Sequence, residues 1–231
     1  MIKFPIEYLN KERFEALIKG YIFDMDGTLV DSMKMIMEMD RGIFGKFGLP
    51  FSKEATELMK YIPLGESAKL IKRMFDIPHT EDEVTRIMYD TMREGYNTVV
   101  TKPGALEYLR FAKESGIKLC IATATEPEIA LEVSERLGIM EYMDFLVACS
   151  EVGESKEKPD VFLEAARRWG FEPSEVAVFE DGLPGARSSR GAGFTVVGVY
   201  DEPSAGGNEQ PLRDVSHVYI RSFADIENKL I

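Results

Sequence analysis

Cysteine, histidine and tryptophan are scarce in this chain: two, two and one in 231 residues. Cys120 and Cys149 lie in strand-like apolar runs, so they read as buried thiols rather than as a disulfide. A reducing compartment follows, most simply the cytoplasm. His79 and His217 read as surface or packing residues. Cys-x-x-Cys, His-Glu-x-x-His and Gly-x-x-x-x-Gly-Lys are all absent, which removes the common zinc and P-loop chemistries. No apolar stretch approaches the roughly 20 residues that span a bilayer, so no membrane partner is expected. The opening Met1-Ile2-Lys3-Phe4-Pro5 lacks the long apolar region of a secretory signal. Basic excess is missing too. A formal charge of −12 argues against nucleic acid, whose phosphates need Lys and Arg. It leaves open a small anionic substrate, because a metal ion and one or two lysines make a local anion site.

What remains is an ordinary globular composition, 45% hydrophobic and 29% charged, with room for a core domain plus a smaller one. Asn10 to Lys19 reads as a helix ended by Gly20, and Tyr21-Ile22-Phe23 as a buried strand. From Ser32 to about Val100 apolar residues recur only at helical spacings, through Met33, Ile36, Phe44, Leu58, Ile62, Ile71 and Phe75. Thr80-Glu81-Asp82-Glu83 is a capping box opening one of these helices. The Met33, Met35, Met37, Met39 run reads as helix-packing material. After Lys102-Pro103-Gly104 helices and strands alternate, with strands over Ile117–Ala122, Phe145–Ala148, Val176–Phe179 and Phe194–Val199. Thr125 with Glu128 reads as a second capping box. Asp201 to Pro211 reads as a loop, His217 to Ile220 as a short strand and Ser222 onward as a last helix. The expected architecture is α/β, a Rossmann-like, doubly wound parallel sheet, with an α-helical cap inserted after the first strand. The boundaries are 1–31 and 101–231 for the core and 32–100 for the cap, which is placed to act as a lid.

Four polar clusters punctuate this pattern: Asp24-Met25-Asp26-Gly27-Thr28, Thr123, Lys156 and Glu180-Asp181. Loops after parallel strands share one edge of the sheet, where ligands bind. Carboxylates, a hydroxyl and a cation could then meet in one site able to hold a metal and a phosphoryl group. An aspartate held by Mg²⁺ stays ionised and can attack phosphorus. A neighbouring carboxyl can protonate the leaving oxygen and later take a proton from water. Asp181 with Glu180 would complete the oxygen shell of Mg²⁺, while Lys156 and Thr123 would bind the equatorial oxygens. Gly27 permits a tight turn that leaves N–H groups for an anion. Singly, each cluster reads as an ordinary turn, cap or solvated charge run. A calcium loop is disfavoured because Thr28 and Leu29 occupy its fifth and sixth positions. Their joint order carries the functional reading.

These residues resemble the haloacid dehalogenase superfamily, in its β-phosphoglucomutase and phosphoglycolate phosphatase subgroup. The matching stretches are Phe23 to Ser32, Ile121-Ala122-Thr123, Lys156 to Phe162 and Val178 to Ala186. The resemblance implies Mg²⁺ dependence, Asp24 as nucleophile, Asp26 as general acid/base and a Thr123 hydroxyl on the phosphoryl group. Asp26 is also expected to offer the metal its backbone carbonyl, so the metal set is Asp24, Asp26, Glu180 and Asp181. Gly27, Thr28 and Ala124 are expected around the phosphoryl group. The third motif departs from the family's Lys-Pro-x-Pro-Asp. Keeping Pro159-Asp160-Val161-Phe162 in register selects Lys156, whereas matching Lys-Pro directly selects Lys158 and needs a deletion.

Dehalogenases and phosphonatases of this superfamily lack an acid at the Asp26 position, which leaves phosphate-ester hydrolysis or phosphomutase transfer. The expected specificity loop, Ile62 to Lys69, offers Gly65, Glu66, Ser67 and Lys69 but no arginine for a second phosphate. That favours a phosphatase acting on a small phosphorylated metabolite over a mutase, and the presence of all the expected reactive groups favours it over a non-catalytic binding protein on the same fold.

Overall fold

The computed structural model describes residues 18–59 and 64–226. Its chain divides into two units, one comprising residues up to Asp31 and from Val100 on, the other Ser32–Val99.

The first unit is built on six parallel strands: β1 (Gly20–Phe23), β4 (Lys118–Thr123), β5 (Phe145–Ala148), β6 (Val176–Glu180), β7 (Thr195–Val199) and β8 (Val218–Ile220). Their order is β5-β4-β1-β6-β7-β8. The chain winds outward from β1 through β4 to β5, then returns to lay β6 on the other side of β1. That reversal leaves a crevice at the carboxyl ends of the central strands. Two further short strands, β2 (Val30–Asp31) and β3 (Val100–Thr101), pair antiparallel where the chain leaves and re-enters this unit.

Alternation along β1 sends Tyr21 and Phe23 to one face and Ile22 to the other. Tyr21 and Phe23 meet Phe179, with centroids 5.1 and 4.5 Å away, and Tyr108 of the helix Ala105–Glu114. On the opposite face Ile22, Cys120 and Val178 pack against Val161, Phe162, Ala165 and Ala166 of the helix Asp160–Trp169. Burying these side chains supplies most of the unit's stability. It also makes the central strand ends a rigid platform. Both cysteines are free and buried.

The second unit contains the helices Met33–Lys46, Lys53–Met59, Leu64–Phe75 and Glu81–Tyr96, with no strand among its described residues. Ile43, Ala68, Ile71, Ile77, Val84 and Met88 form its core. The Thr80 box is made in full, with Thr80 Oγ1 accepting from Glu83 N–H and Glu83 from Thr80 N–H. Of the methionine run, Met39 joins the core while Met37 is exposed. His79 lies edge-on to Phe47, and His217 Nδ1 accepts the Val196 N–H at 2.9 Å, so both histidines are packing residues.

Several expectations need correction. Gly20 opens β1 rather than ending a helix; a Cβ there would lie 2.8 Å from the Trp169 ring. The expected helix over Asn10 to Leu17 lies outside the described residues, as do Ile62, Pro63 and the end of the last helix after Ile226. Ser222 caps only a 3₁₀ turn, Phe223–Asp225. Asp201 to Pro211 is not a loop: Asp201 accepts the Ser204 N–H and caps the helix Glu202–Ala205, and a second helix, Glu209–Val215, follows. No helix among the described residues is long and apolar enough to cross a membrane.

Candidate active site

Register brings the carboxylates together. Phe23 is paired with Ile121 on one side and Phe179 on the other, and the Asp24 N–H donates to Phe179 O at 2.9 Å. Asp24 therefore sits beside Glu180, with Asp181 one residue beyond. All three are buried, and one carboxylate oxygen from each lies within 4.8 Å of the others.

Lys156 enters from the loop after a one-turn helix, Cys149–Val152, rather than from a strand end. Its ammonium bonds Asp24 Oδ1, and Glu180 Oε2 at 2.9 Å, with its side chain only 11% exposed. The Phe162 ring lies 5.6 Å from it, and Ser188 Oγ donates to the Lys156 carbonyl at 2.6 Å. Burial works against the lysine's charge, but the two carboxylates outweigh it and raise its pKa. Lys158, in contrast, pairs with Glu154 on the surface.

Glu180 is clamped from both sides. Oε2 accepts a hydrogen bond from the Lys156 ammonium, and Oε1 accepts the Gly182 N–H at 3.1 Å. A Cβ at Gly185 would stand 2.7 Å from its carboxyl carbon, so only glycine lets the helix Leu183–Gly191 approach this closely. Burial first, then the Asp24 carboxylate, pushes the Glu180 pKa up to about 7 despite Lys156. Asp181 is held well above the usual carboxylate range by burial, then by Asp24 and Glu180, while a hydrogen bond with Ser204 opposes them. Three buried carboxylates offset by one lysine form an all-oxygen donor set with excess negative charge, which fits a hard divalent cation. Both Glu180 oxygens already accept hydrogen bonds.

The Asp26 side chain does not join this cluster. Its Oδ2 accepts the Thr125 hydroxyl proton at 2.6 Å. Gly27 adopts φ 81°, as a tight turn demands. Its N–H is not left for an anion, because it donates to Val30 O at 2.9 Å while Leu29 and Val30 donate to Met25 O. Thr28 is fully buried and donates its hydroxyl to Asp181 Oδ1 at 3.0 Å. Thr123, also fully buried, closes β4 and accepts the Thr125 N–H at 3.0 Å; Ala124 is exposed. Gly65, Glu66, Ser67 and Lys69 belong to the other unit. They lie on the first turns of the helix Leu64–Phe75 rather than on a loop, because Leu64, Ala68 and Ile71 share its buried face. Lys69 there pairs with Glu66 at 2.6 Å.

Sequence reasoning missed the residues that brace this cluster. Thr125 was expected to cap a helix, but Glu126 is the N-cap of Pro127–Arg136, with no side-chain cap bond. Ser204 reaches Asp181. Asp201, which caps the helix bearing Ser204, forms a nearly buried pair with Lys102 at 2.6 Å. An Asp-Glu-Pro start was the available signal for that helix.

Comparison with known proteins agrees with this construction. Residues 18–193 match the family described as haloacid dehalogenase-like hydrolase. A phosphorylated carbohydrates phosphatase of Thermotoga maritima is 28% identical over 178 residues, covering 77% of this chain and 82% of that protein. The fructose-1-phosphate phosphatase YqaB of Escherichia coli is 28% identical, covering 78% and 95%. The β-phosphoglucomutase of Bacillus subtilis is 26% identical, covering 93% and 94%. Among solved structures, CbbY of Rhodobacter sphaeroides with phosphate superposes with a TM-score of 0.72 at 23% identity, over 92% of this chain and 99% of that one. With its sheet order, its strand-end carboxylates and a family match over most of its length, the chain belongs to the haloacid dehalogenase-like hydrolases.

Proposed function

We propose that this protein is a Mg²⁺-dependent phosphatase that hydrolyses a small phosphorylated metabolite, a sugar phosphate or similar ester, through an aspartyl phosphate on Asp24. The observation that carries this reading is the buried meeting of Asp24, Lys156, Glu180 and Asp181, with Asp26 two residues from the nucleophile. Asp24, Asp181 and Glu180, with the Asp26 carbonyl, are the residues to hold Mg²⁺. Held there, the ion would neutralise charge as an anionic nucleophile meets an anionic phosphoryl group.

Lys156 orients the Asp24 carboxylate, and Thr123 offers a hydroxyl to the phosphoryl oxygens. Asp24 Oδ attacks phosphorus, the ester P–O bond breaks, and Asp26 gives its proton to the leaving oxygen. Asp26 then removes a proton from water as its oxygen attacks the aspartyl phosphate, which frees phosphate and restores Asp24. The unit Ser32–Val99 is read as a lid that excludes water and selects the leaving group. Its hinges would be near Asp31-Ser32 and Thr98 to Thr101. The free, buried thiols fit a cytoplasmic setting.

A panel of phosphorylated metabolites assayed for released phosphate tests the reading. Phosphate release that requires Mg²⁺ supports it; isomerisation of a sugar phosphate without net release of phosphate supports the mutase alternative. That alternative has the Bacillus subtilis relative in its favour. Against it, the expected cap segment's one cation, Lys69, is paired with Glu66. No activity on any ester with Mg²⁺ would return the chain to a binding role.

A further inference from the structure

Thr125 is 99 residues from Asp26 in sequence, yet its hydroxyl donates to Asp26 Oδ2 at 2.6 Å. A contact this short to a carboxylate belongs to the strong, orienting class of hydrogen bond. The same residue's N–H donates to Thr123 Oγ1 at 3.0 Å. Thr125 is 9% exposed and Thr123 wholly buried, so surrounding atoms hold both in place. The N-cap of the helix that follows is the next residue, Glu126. One side chain thus links the loop after β4 to the loop after β1.

We propose that Thr125 is a positioning residue for Asp26. Its hydroxyl holds Oδ2 and so orients the carboxyl that carries the transferred proton. The inference rests on the reading of Asp26 as the general acid and base. In the first half-reaction the Asp26 proton goes to the ester oxygen as its bond to phosphorus breaks, leaving Asp26 a carboxylate. In the second, that carboxylate takes a proton from the attacking water as the water oxygen bonds phosphorus and the bond from phosphorus to Asp24 breaks. Without the Thr125 hydroxyl the carboxyl loses a contact that orients it, and the proton is presented less well to the ester oxygen. Positioning of this kind matters most when the leaving oxygen is basic and cannot depart unprotonated.

Phenyl phosphate and p-nitrophenyl phosphate provide the test, because they differ little in shape but their leaving groups differ in basicity. For both, kcat/KM with saturating Mg²⁺ reports the step in which the leaving group departs. Thr125→Val keeps the side chain's shape, and Thr125→Ala is a second variant without the hydroxyl. Either should lower kcat/KM for phenyl phosphate about tenfold more than for p-nitrophenyl phosphate, with Thr125→Ser close to the parent. Equal losses on both esters, or no loss, overturn the inference, since a merely structural contact would not distinguish leaving groups. Asp26→Asn separates the two levels. If it widens the ratio between the esters while Thr125→Val and Thr125→Ala do not, only the role of Thr125 falls. If it leaves the ratio at the parent value, the acid assignment falls and the inference with it.

Discussion

The strand-end site residues of the sheet unit and the charged pairs of the helical unit are held in opposite ways. In the sheet unit Asp24, Thr28, Thr123, Lys156, Glu180 and Asp181 are buried or nearly so, and most of their partners lie 24 to 153 residues away. In the helical unit Glu66 pairs with Lys69 and Thr80 with Glu83, each three residues apart and exposed. Lys46 reaches Glu94 across helices, but in the open. Buried long-range pairs fix geometry, because losing one partner strands a charge without solvent. Exposed local pairs are screened by water and fix little. Chemistry that tolerates no error belongs to the first kind. Selection among substrates can be left to the second, where residues change without endangering the fold.

The largest test of this division is Asp24→Asn. The amide fills the same space but cannot form an acyl phosphate, so turnover should fall at least about 10³-fold with the melting temperature little changed. Activity of more than a few per cent in the folded variant would remove Asp24 as nucleophile. The next contrasts two lysines two residues apart. Lys156→Ala leaves Asp24 and Glu180 without their shared cation and should lose at least about 10²-fold in kcat/KM. Lys158→Ala, which disturbs only the exposed pair with Glu154, should stay within about twofold. The reverse ranking would show that the buried contact is not the productive one.

A smaller effect concerns pH. The Glu180 pKa rises from 4.5 to about 7 on folding. Between those values the folded chain binds more protons than the unfolded one. The contribution of this group is therefore most favourable below pH 4.5 and is lost as pH rises through about 7. Asp181 is raised as well and acts in the same direction. Mg²⁺ bound beside them should offset that loss. Its stabilising shift of the melting temperature should be larger at pH 8 than at pH 5.5, by several degrees. A shift independent of pH would place the metal away from these carboxylates.

The same contrast governs what the sequence reveals. Short apolar runs ending in Asp24, Thr123 and Glu180 are visible because parallel strands must bury both faces and present their ends together. The helical unit is visible through its 3.6-residue period and the Thr80 box. Thr125 is misread for a local reason. Pro127 fixes the start of its helix and drives Glu126 into an extended conformation, φ −52° and ψ 133°, which makes Glu126 the cap. The hydroxyl one residue earlier meets Asp26, a partner no local rule can predict. Ser204 and Lys102 are hidden likewise, because what they touch is decided by the packing of distant segments.

The smallest expected effect is the sharpest probe of the comparison. Glu66 and Lys69 lie on an exposed helical turn and bond each other. The bond lowers the Glu66 pKa and raises that of Lys69, so both remain charged across the neutral range. Neither Glu66→Ala nor Lys69→Ala removes a buried contact, and the melting temperature should hardly move. If the helical unit selects substrates, each change should alter kcat/KM for the best natural ester by about three- to tenfold while leaving p-nitrophenyl phosphate within about twofold. The direction is informative. A substrate carrying a second negative group should lose affinity when Lys69 is removed and gain it when Glu66 is removed, since Glu66 then no longer competes for the ammonium. Equal effects on both esters, or none on either, would take this turn out of substrate selection and assign that role to residues of the sheet unit.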